Sequence, residues 1–135
     1  MPRLVLADDH AGLLAEIRSL LEPEFRVVSS TADGTSLLHA VREYLPDAVV
    51  ADVEMPGING IDAAREIVGS GLCDAVVILT IYDDRDLIAK AAAAGVRGYV
   101  LKVDAGEELI PALRAVLAGE RYLSHGAGAG RGYRD

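Results

Sequence analysis

Short apolar runs alternate along the chain with longer segments whose apolar residues recur every three or four positions. The runs hold four to six residues and are rich in Val, Leu and Ile, so they predict strands buried on both faces of a sheet. They are LVLA at 4–7, FRVVSS at 25–30, AVVADV at 48–53, AVVILT at 75–80 and GYVLK at 98–102.

The segments between the runs have the spacing of amphipathic helices. The predicted helices span 13–21, 35–45, 61–68, 84–94 and 107–118. Strand-then-helix units in series predict an α/β fold, a doubly wound five-stranded parallel sheet with helices on both faces. In the common strand order 2-1-3-4-5, the second strand lies at an edge of the sheet.

A length of 135 residues suits one domain. All the predicted strands and helices lie within residues 1–123. Residues 124–135, SHGAGAGRGYRD, have no apolar periodicity and carry Gly at every second position from 126 to 132. This composition predicts a flexible tail or linker after the domain.

Composition and charge narrow the function classes. A formal net charge of −8 would repel a phosphate backbone, so we do not expect the chain itself to bind nucleic acid. The lone cysteine, Cys73, cannot form an internal disulfide and suits a reducing compartment. Neither a secretory signal nor an apolar stretch of about 20 residues is visible. These features predict a cytoplasmic protein without a membrane partner.

Polar side chains follow four of the five predicted strands. They are Asp8 and Asp9 after the first strand, Asp52 at the third, Thr80 at the fourth and Lys102 at the fifth. In a doubly wound sheet, ligands bind beyond the carboxyl ends of the strands, where the strand order reverses. We therefore expect these side chains to converge at one edge of the sheet.

Three carboxylates and one lysine carry excess negative charge, so either the carboxylate pKa values rise or a cation occupies the site. Carboxylate oxygens suit Mg²⁺. A carboxylate beside Mg²⁺ can attack a phosphoryl group, while an ammonium and a hydroxyl stabilise the phosphoryl oxygens. Taken alone, Asp8 or Asp9 could instead cap a helix that starts near residue 11.

The ordered set of motifs resembles the receiver domain of two-component response regulators, over residues 2–123. It rests on Asp8-Asp9, DVEMPGINGID from Asp52, ILT ending at Thr80 and GYVLK ending at Lys102. The resemblance implies the flavodoxin-like receiver fold. DDHAGLLAEIRSLL, AAAAGVRGYVLK and LAGERYLS further resemble the NarL/LuxR-type subgroup, whose members usually carry a C-terminal helix-turn-helix DNA-binding domain. That domain is absent from this chain.

The resemblance also implies a metal site. Asp52 would be the phosphoacceptor and, with Asp9, a direct Mg²⁺ ligand. Asp8 would act through a water, and the backbone carbonyl of Glu54 would complete the protein ligands.

The remaining implied roles concern binding and switching. Thr80 and Lys102 would bind the phosphoryl oxygens, and Tyr99 would be the switch aromatic that follows Thr80. Ile81 is bulkier than the Ala, Gly or Ser of many receivers, and we hypothesise that it narrows access to Asp52. Val103 stands where many receivers have proline.

By this resemblance, the protein is a signalling domain rather than an enzyme, although it catalyses its own phosphorylation and dephosphorylation. It would take a phosphoryl group from a sensor histidine kinase, form a homodimer on phosphorylation, and control transcription through the absent DNA-binding domain. Two faces could pair the receivers: the first and fifth helices, or the fourth and fifth.

Other functions stay open at this point. A stand-alone receiver would act through protein–protein contacts, with or without phosphorylation. A Mg²⁺-dependent aspartyl phosphatase of the haloacid-dehalogenase pattern would carry its nucleophile at the first strand, two residues before a second Asp, and the order of the acidic residues in this chain differs. A flavodoxin-like FMN carrier would need phosphate-binding amides after the first strand, where this chain is acidic.

Overall fold

The structure is a computed structural model that describes residues 1–127. Its strands are β1 (Arg3–Ala7), β2 (Arg26–Thr31), β3 (Ala48–Ala51), β4 (Val76–Thr80), β5 (Gly98–Leu101) and β6 (Tyr122–Leu123). Its helices are α1 (Ala11–Leu21), α2 (Gly34–Tyr44), α3 (Gly60–Gly69), α4 (Arg85–Ala93) and α5 (Ala105–Leu117), and a short 3-10 turn spans Lys102–Asp104.

The sheet is parallel throughout and has the order β2-β1-β3-β4-β5-β6. The predicted fold class, the five strands and their order 2-1-3-4-5 are confirmed. The sequence did not predict β6, in which Tyr122 pairs with Gly98 and Leu123 with Tyr99. Two residues are too few to display a strand period, so the sequence pattern could not reveal β6.

The sheet separates two apolar cores, because alternate strand residues point to opposite faces. Leu4, Leu6 and Val50 pack on one face against α1 and α5. Val5 and Val49 pack on the other face against α2, α3 and α4. With both faces covered, the strands are apolar almost throughout, which is why they appear in the sequence as continuous runs.

The predicted tail at 124–135 begins with residues that pack on the domain. Ser124 and Ala127 are buried. The packed chain therefore extends at least to Ala127, past the predicted boundary at residue 123. Residues 128–135 of the predicted tail lie outside the described residues. Within residues 1–127, none of the helices is long and apolar enough to cross a membrane.

Candidate functional site

The pairing of β1 with β3 brings two aspartates together at the carboxyl edge of the sheet. Ala7 is the partner of Ala51, so the next residues, Asp8 and Asp52, leave the sheet side by side. The ladder continues through them, because the Asp52 backbone N–H donates to the carbonyl of Ala7 at 2.9 Å. Both aspartates are buried, with 2% and 5% of their surface exposed.

The start of α3 packs directly on the backbone of Asp52. The Gly60 N–H donates to the Val53 carbonyl at 2.8 Å, and a Cβ on Gly60 would lie 1.9 Å from the Asp52 carbonyl oxygen. Only glycine permits this approach. Asn59 caps α3 by accepting from the Asp62 N–H at 2.9 Å. The helix start therefore helps to hold Asp52 in place.

Lys102 lies between the two buried carboxylates. Its Nζ is 2.8 Å from Asp8 Oδ2 and 3.0 Å from Asp52 Oδ2. Burial alone would lower the pKa of Lys102, but the hydrogen bonds to Asp8 and Asp52 outweigh it and raise that pKa. The lysine therefore keeps its charge at neutral pH and serves both carboxylates.

The charges at this edge do not balance. Burial raises the pKa of Asp52; the hydrogen bond from Lys102 opposes that shift, and the negative charge of Asp8 adds to it. Asp9 adds a third carboxylate beside this single ammonium. A cation bound among the carboxylates would offset the excess charge.

Four side chains provide the donor atoms for such a cation. Asp8, Asp9, His10 and Asp52 each offer a ligand atom, and these atoms lie within 4.8 Å of one another. Three of the four are carboxylates, the hard oxygen donors that Mg²⁺ prefers, so the donor set fits Mg²⁺.

His10 follows the acidic pair directly in the chain. Its Nδ1 lies 3.0 Å from Asp8 Oδ1 and 3.1 Å from Asp9 Oδ1, at the mouth of the carboxylate cluster. It occupies the cap position of α1, but its side chain makes no capping hydrogen bond. Asp8 accepts the His10 N–H at 2.9 Å instead of capping the helix, so the simple capping alternative is wrong. The adjacency of His10 to the acidic pair was the available signal for its position.

Thr80 and Tyr99 are both buried and are joined through Tyr82. Thr80 Oγ1 accepts the Tyr82 backbone N–H at 3.2 Å. The Tyr99 hydroxyl donates to the Tyr82 carbonyl at 2.6 Å, and burial raises the pKa of Tyr99. The Tyr82 hydroxyl donates to Glu54 Oε1 at 2.7 Å. The sequence pattern did not reveal this linking role of Tyr82.

A cleft of about 600 Å³ opens over Asp52. Its lining includes Glu54, Ile81 and Lys102, and residues at the start of α1 form another wall. Ile81 is 67% exposed on this cleft, although its side chain is apolar. The site thus combines a buried carboxylate, an ammonium and a cation-binding cluster with an open approach.

The model of the family described as response regulator receiver domain matches residues 4–114. The chain belongs to this family. The receiver is 35% identical over 126 residues to the response regulator UvrY of Escherichia coli K12, covering 92% of this chain and 58% of UvrY. It spans about half the length of the curated relatives it matches.

Solved structures agree with the family and the subgroup. A LuxR-family two-component response regulator from Aurantimonas sp. SI85-9A1 superposes on the receiver with a TM-score of 0.89 and 34% identity, covering 96% of this chain and 94% of that one. The isolated receiver of RcsB from Salmonella enterica serovar Typhimurium was solved with the phosphomimetic BeF₃⁻. It superposes with a TM-score of 0.85 and 25% identity, covering 95% of this chain and 96% of that one. RcsB has also been solved in complex with DNA. That structure superposes with a TM-score of 0.86 and 25% identity, covering 95% of this chain and 66% of that one.

The predicted family and the NarL/LuxR-type subgroup are therefore confirmed. Receivers are signalling domains, and the match sets aside the aspartyl phosphatase and the FMN carrier. The structure brings Lys102 into contact with both Asp8 and Asp52, and it places Asp9 in the same cluster of donor atoms. The roles assigned to these residues, and to Glu54, Thr80 and Tyr99, stay predictions.

Proposed function

We propose that this receiver accepts a phosphoryl group on Asp52 from a sensor histidine kinase, in a Mg²⁺-dependent reaction. One observation carries the proposal. Asp52 lies buried at the base of an open cleft, shares the Lys102 ammonium with Asp8, and faces a cluster of oxygen donors. A carboxylate in this setting is accessible to a phosphodonor and surrounded by groups that stabilise charge on phosphoryl oxygens.

The reaction forms one bond and breaks one. An Asp52 carboxylate oxygen attacks phosphorus, the phosphorus–nitrogen bond of a phosphohistidine breaks, and the donor imidazole keeps the electron pair. Lys102 moves from pairing with the free carboxylates to pairing with the new phosphoryl oxygens. Mg²⁺, when bound, supplies charge stabilisation for those oxygens. Asp9, Asp52 and the Glu54 carbonyl would hold it directly, and Asp8 through a water.

Thr80 and Tyr99 connect this chemistry to the rest of the domain. In the proposal, the Thr80 hydroxyl donates to a phosphoryl oxygen. Because Thr80 Oγ1 accepts from Tyr82 and the Tyr82 carbonyl accepts from Tyr99, a shift of Thr80 would change the position of the Tyr99 ring. The phosphoryl group would thereby bias a two-state element at α4, β5 and α5.

The output is proposed from the relatives. UvrY is a response regulator of greater length than this chain, and RcsB has been solved on DNA as dimers. We propose that this receiver works in the cytoplasm, dimerises when phosphorylated, and controls transcription through a DNA-binding domain outside this chain.

A mass measurement tests the phosphoacceptor. The protein is incubated with Mg²⁺ and acetyl phosphate, and the intact mass is expected to rise by one phosphoryl group. Asp52→Asn should lose the gain, whereas Asp62→Asn, a change at an exposed aspartate of the same loop and helix start, should keep it. A gain that persists in Asp52→Asn excludes Asp52 as acceptor, and the absence of any gain with acetyl phosphate or with a cognate kinase contradicts the function.

A further inference from the structure

The segment from Tyr122 to Ala127, here called the strap, runs along β5 and then crosses to the turn that carries Lys102. It starts as β6, which pairs with β5. Beyond β6, the Ser124 N–H donates to the carbonyl of Tyr99 at 2.9 Å. The strap therefore contacts the backbone of Tyr99 before it reaches the turn.

Ser124 hydrogen-bonds to the chain on both sides of Lys102. Its hydroxyl accepts the Leu101 N–H at 3.1 Å and donates to Asp104 Oδ2 at 2.9 Å. Leu101 precedes the lysine and Asp104 follows it by two residues. Ser124 is only 1% exposed, so no water replaces these bonds easily. One hydroxyl, with one donor and two acceptor sites, thus holds both ends of the turn.

Asp104 and Glu108 accept further hydrogen bonds from the strap. Asp104 Oδ2 also accepts the Gly126 N–H at 3.1 Å, and a Cβ on Gly126 would lie 2.7 Å from that oxygen. Glu108 accepts the Tyr122 hydroxyl at 2.7 Å and the His125 N–H at 2.8 Å. Two carboxylates at the start of α5 therefore bind the strap through several hydrogen bonds.

These bonds are concentrated where they affect Lys102. The four-carbon stem of a lysine has a fixed maximum length, so the position of the backbone limits where the ammonium can reach. The Lys102 ammonium must span the distance from the turn to Asp52, where Nζ lies 3.0 Å from Oδ2. A turn held at residues on either side of the lysine limits the space that the ammonium explores.

We infer that Ser124 and Asp104 are positioning residues for Lys102, so the strap forms part of the phosphoryl-binding site although it contacts no reacting atom. The inference rests on the proposed function, because it assigns Lys102 to the phosphoryl oxygens. Coupling of this kind is reciprocal: a ligand at Asp52 that engages Lys102 strengthens the strap by the same factor by which the strap strengthens ligand binding.

Calorimetric titration of the whole chain tests the inference, with fluoroberyllate as the phosphoryl mimic. Ser124→Ala should not lower the Mg²⁺ affinity, because Lys102 is not a metal ligand and competes with the cation for Asp8 and Asp52. In Mg²⁺-saturated protein it should weaken fluoroberyllate binding by about three- to tenfold, the effect of one to two lost hydrogen bonds. Ser124→Thr, which keeps the hydroxyl, should restore the affinity. Ser70→Ala, at a serine that bonds backbone at the end of α3, is the matched control.

The outcomes separate the inference from the proposed function. Equal fluoroberyllate affinities in Ser124→Ala and Ser70→Ala, with wild-type binding intact, overturn the inference alone. Wild-type protein that binds no fluoroberyllate and gains no phosphoryl mass overturns the proposed function and the inference with it. A loss of Mg²⁺ affinity in step with fluoroberyllate affinity would indicate general damage and would also overturn the positioning role.

Amide exchange in the wild-type protein keeps the test decisive if Ser124→Ala does not fold. Fluoroberyllate should slow amide exchange at Leu101, Ser124 and Gly126 by about three- to tenfold more than at a reference amide. The reference is Leu72, whose N–H donates to the carbonyl of Ile67 in α3. Equal changes at all of these amides would overturn the inference.

Discussion

At the scale of single residues, Lys102 has to serve two buried carboxylates. Without a cation, its ammonium bonds both Asp8 and Asp52. Any cation that binds the carboxylates competes with the lysine for them and frees it for another anion. The same residue can therefore stabilise the metal-free domain and bind a phosphoryl oxygen when metal and phosphoryl group are present.

Ile81 belongs to the same scale, as an exposed apolar side chain on the cleft over Asp52. Ile81→Ala should speed both labelling by acetyl phosphate and subsequent dephosphorylation by about two- to fivefold, because a barrier change below about 1 kcal/mol gives that effect. Rates are read from the mass shift over time. Val103→Ala, at an apolar residue that is 86% exposed, should leave both rates unchanged. Unchanged rates in Ile81→Ala would exclude a steric role for Ile81.

At the scale of secondary-structure elements, the start of α3 determines the position of Asp52. Gly60→Ala would force the helix away from the Asp52 carbonyl, since the added Cβ has no space there. We expect a loss of about 1–3 kcal/mol in the free energy of unfolding, as for other overpacked sites, together with slower phosphorylation.

Gly69 provides the control within the same helix. A Cβ at Gly69 meets no atom within 4 Å, so Gly69→Ala should be neutral or slightly stabilising. Urea unfolding of both variants measures the difference. Equal stabilities would show that α3 does not press on the Asp52 backbone.

The contact between Tyr122 in β6 and Glu108 in α5 makes the free energy of unfolding depend on pH in the alkaline range. Burial, followed by the hydrogen bond to Glu108, raises the pKa of Tyr122 from its usual 10 to about 12. The folded state holds the phenol proton more tightly than the unfolded state, so this stabilisation is complete below pH 10 and is lost as the pH rises to about 12.

Because Tyr82 and Tyr99 also have raised pKa values, the informative quantity is the difference between wild type and Tyr122→Phe. Between pH 9 and pH 12, both proteins should lose free energy of unfolding, measured with urea. The loss should be about 1–2 kcal/mol smaller in Tyr122→Phe than in wild type, after allowance for solvent screening. Parallel curves for the two proteins would contradict a strong contact between Tyr122 and Glu108.

At the scale of the whole molecule, a cation that binds the carboxylate cluster would stabilise the folded state. The carboxylate cluster exists only in the folded chain, so Mg²⁺ at about 100 times its dissociation constant should add about 2.7 kcal/mol to the free energy of unfolding. A chelator should reverse the gain. NaCl at equal ionic strength should not reproduce it, although the chain carries a net charge of −8.

The Asp9→Ala variant distinguishes Mg²⁺ binding at the carboxylate cluster from a general effect of Mg²⁺ on the net negative charge. It should shift the Mg²⁺ stabilisation to higher concentration and reduce phosphorylation at low Mg²⁺, with recovery at high Mg²⁺. Glu43→Ala removes an equal charge from the exposed face of α2 and should change neither. If both variants respond alike, Mg²⁺ acts through net charge alone.

The sequence by itself determined the order of the first five strands and the five helices, and the edge at which the candidate site lies. Buried parallel strands must be apolar on both faces, so each appeared as a continuous run, and the polar residues that end four of the runs had to meet where the carboxyl ends meet. Asp8, Asp9, Asp52, Thr80 and Lys102 could therefore be placed at one edge before any distance was known.

Only the tertiary structure decided how those residues are held. The sharing of Lys102 by Asp8 and Asp52, and the link from Thr80 to Tyr99 through Tyr82, depend on distances between elements far apart in the chain. Local periodicity carries no information about such distances. Ser124 shows this most clearly, since its Gly-rich surroundings predicted a free tail, whereas a hydrogen bond to Asp104, 20 residues earlier, draws it into the domain.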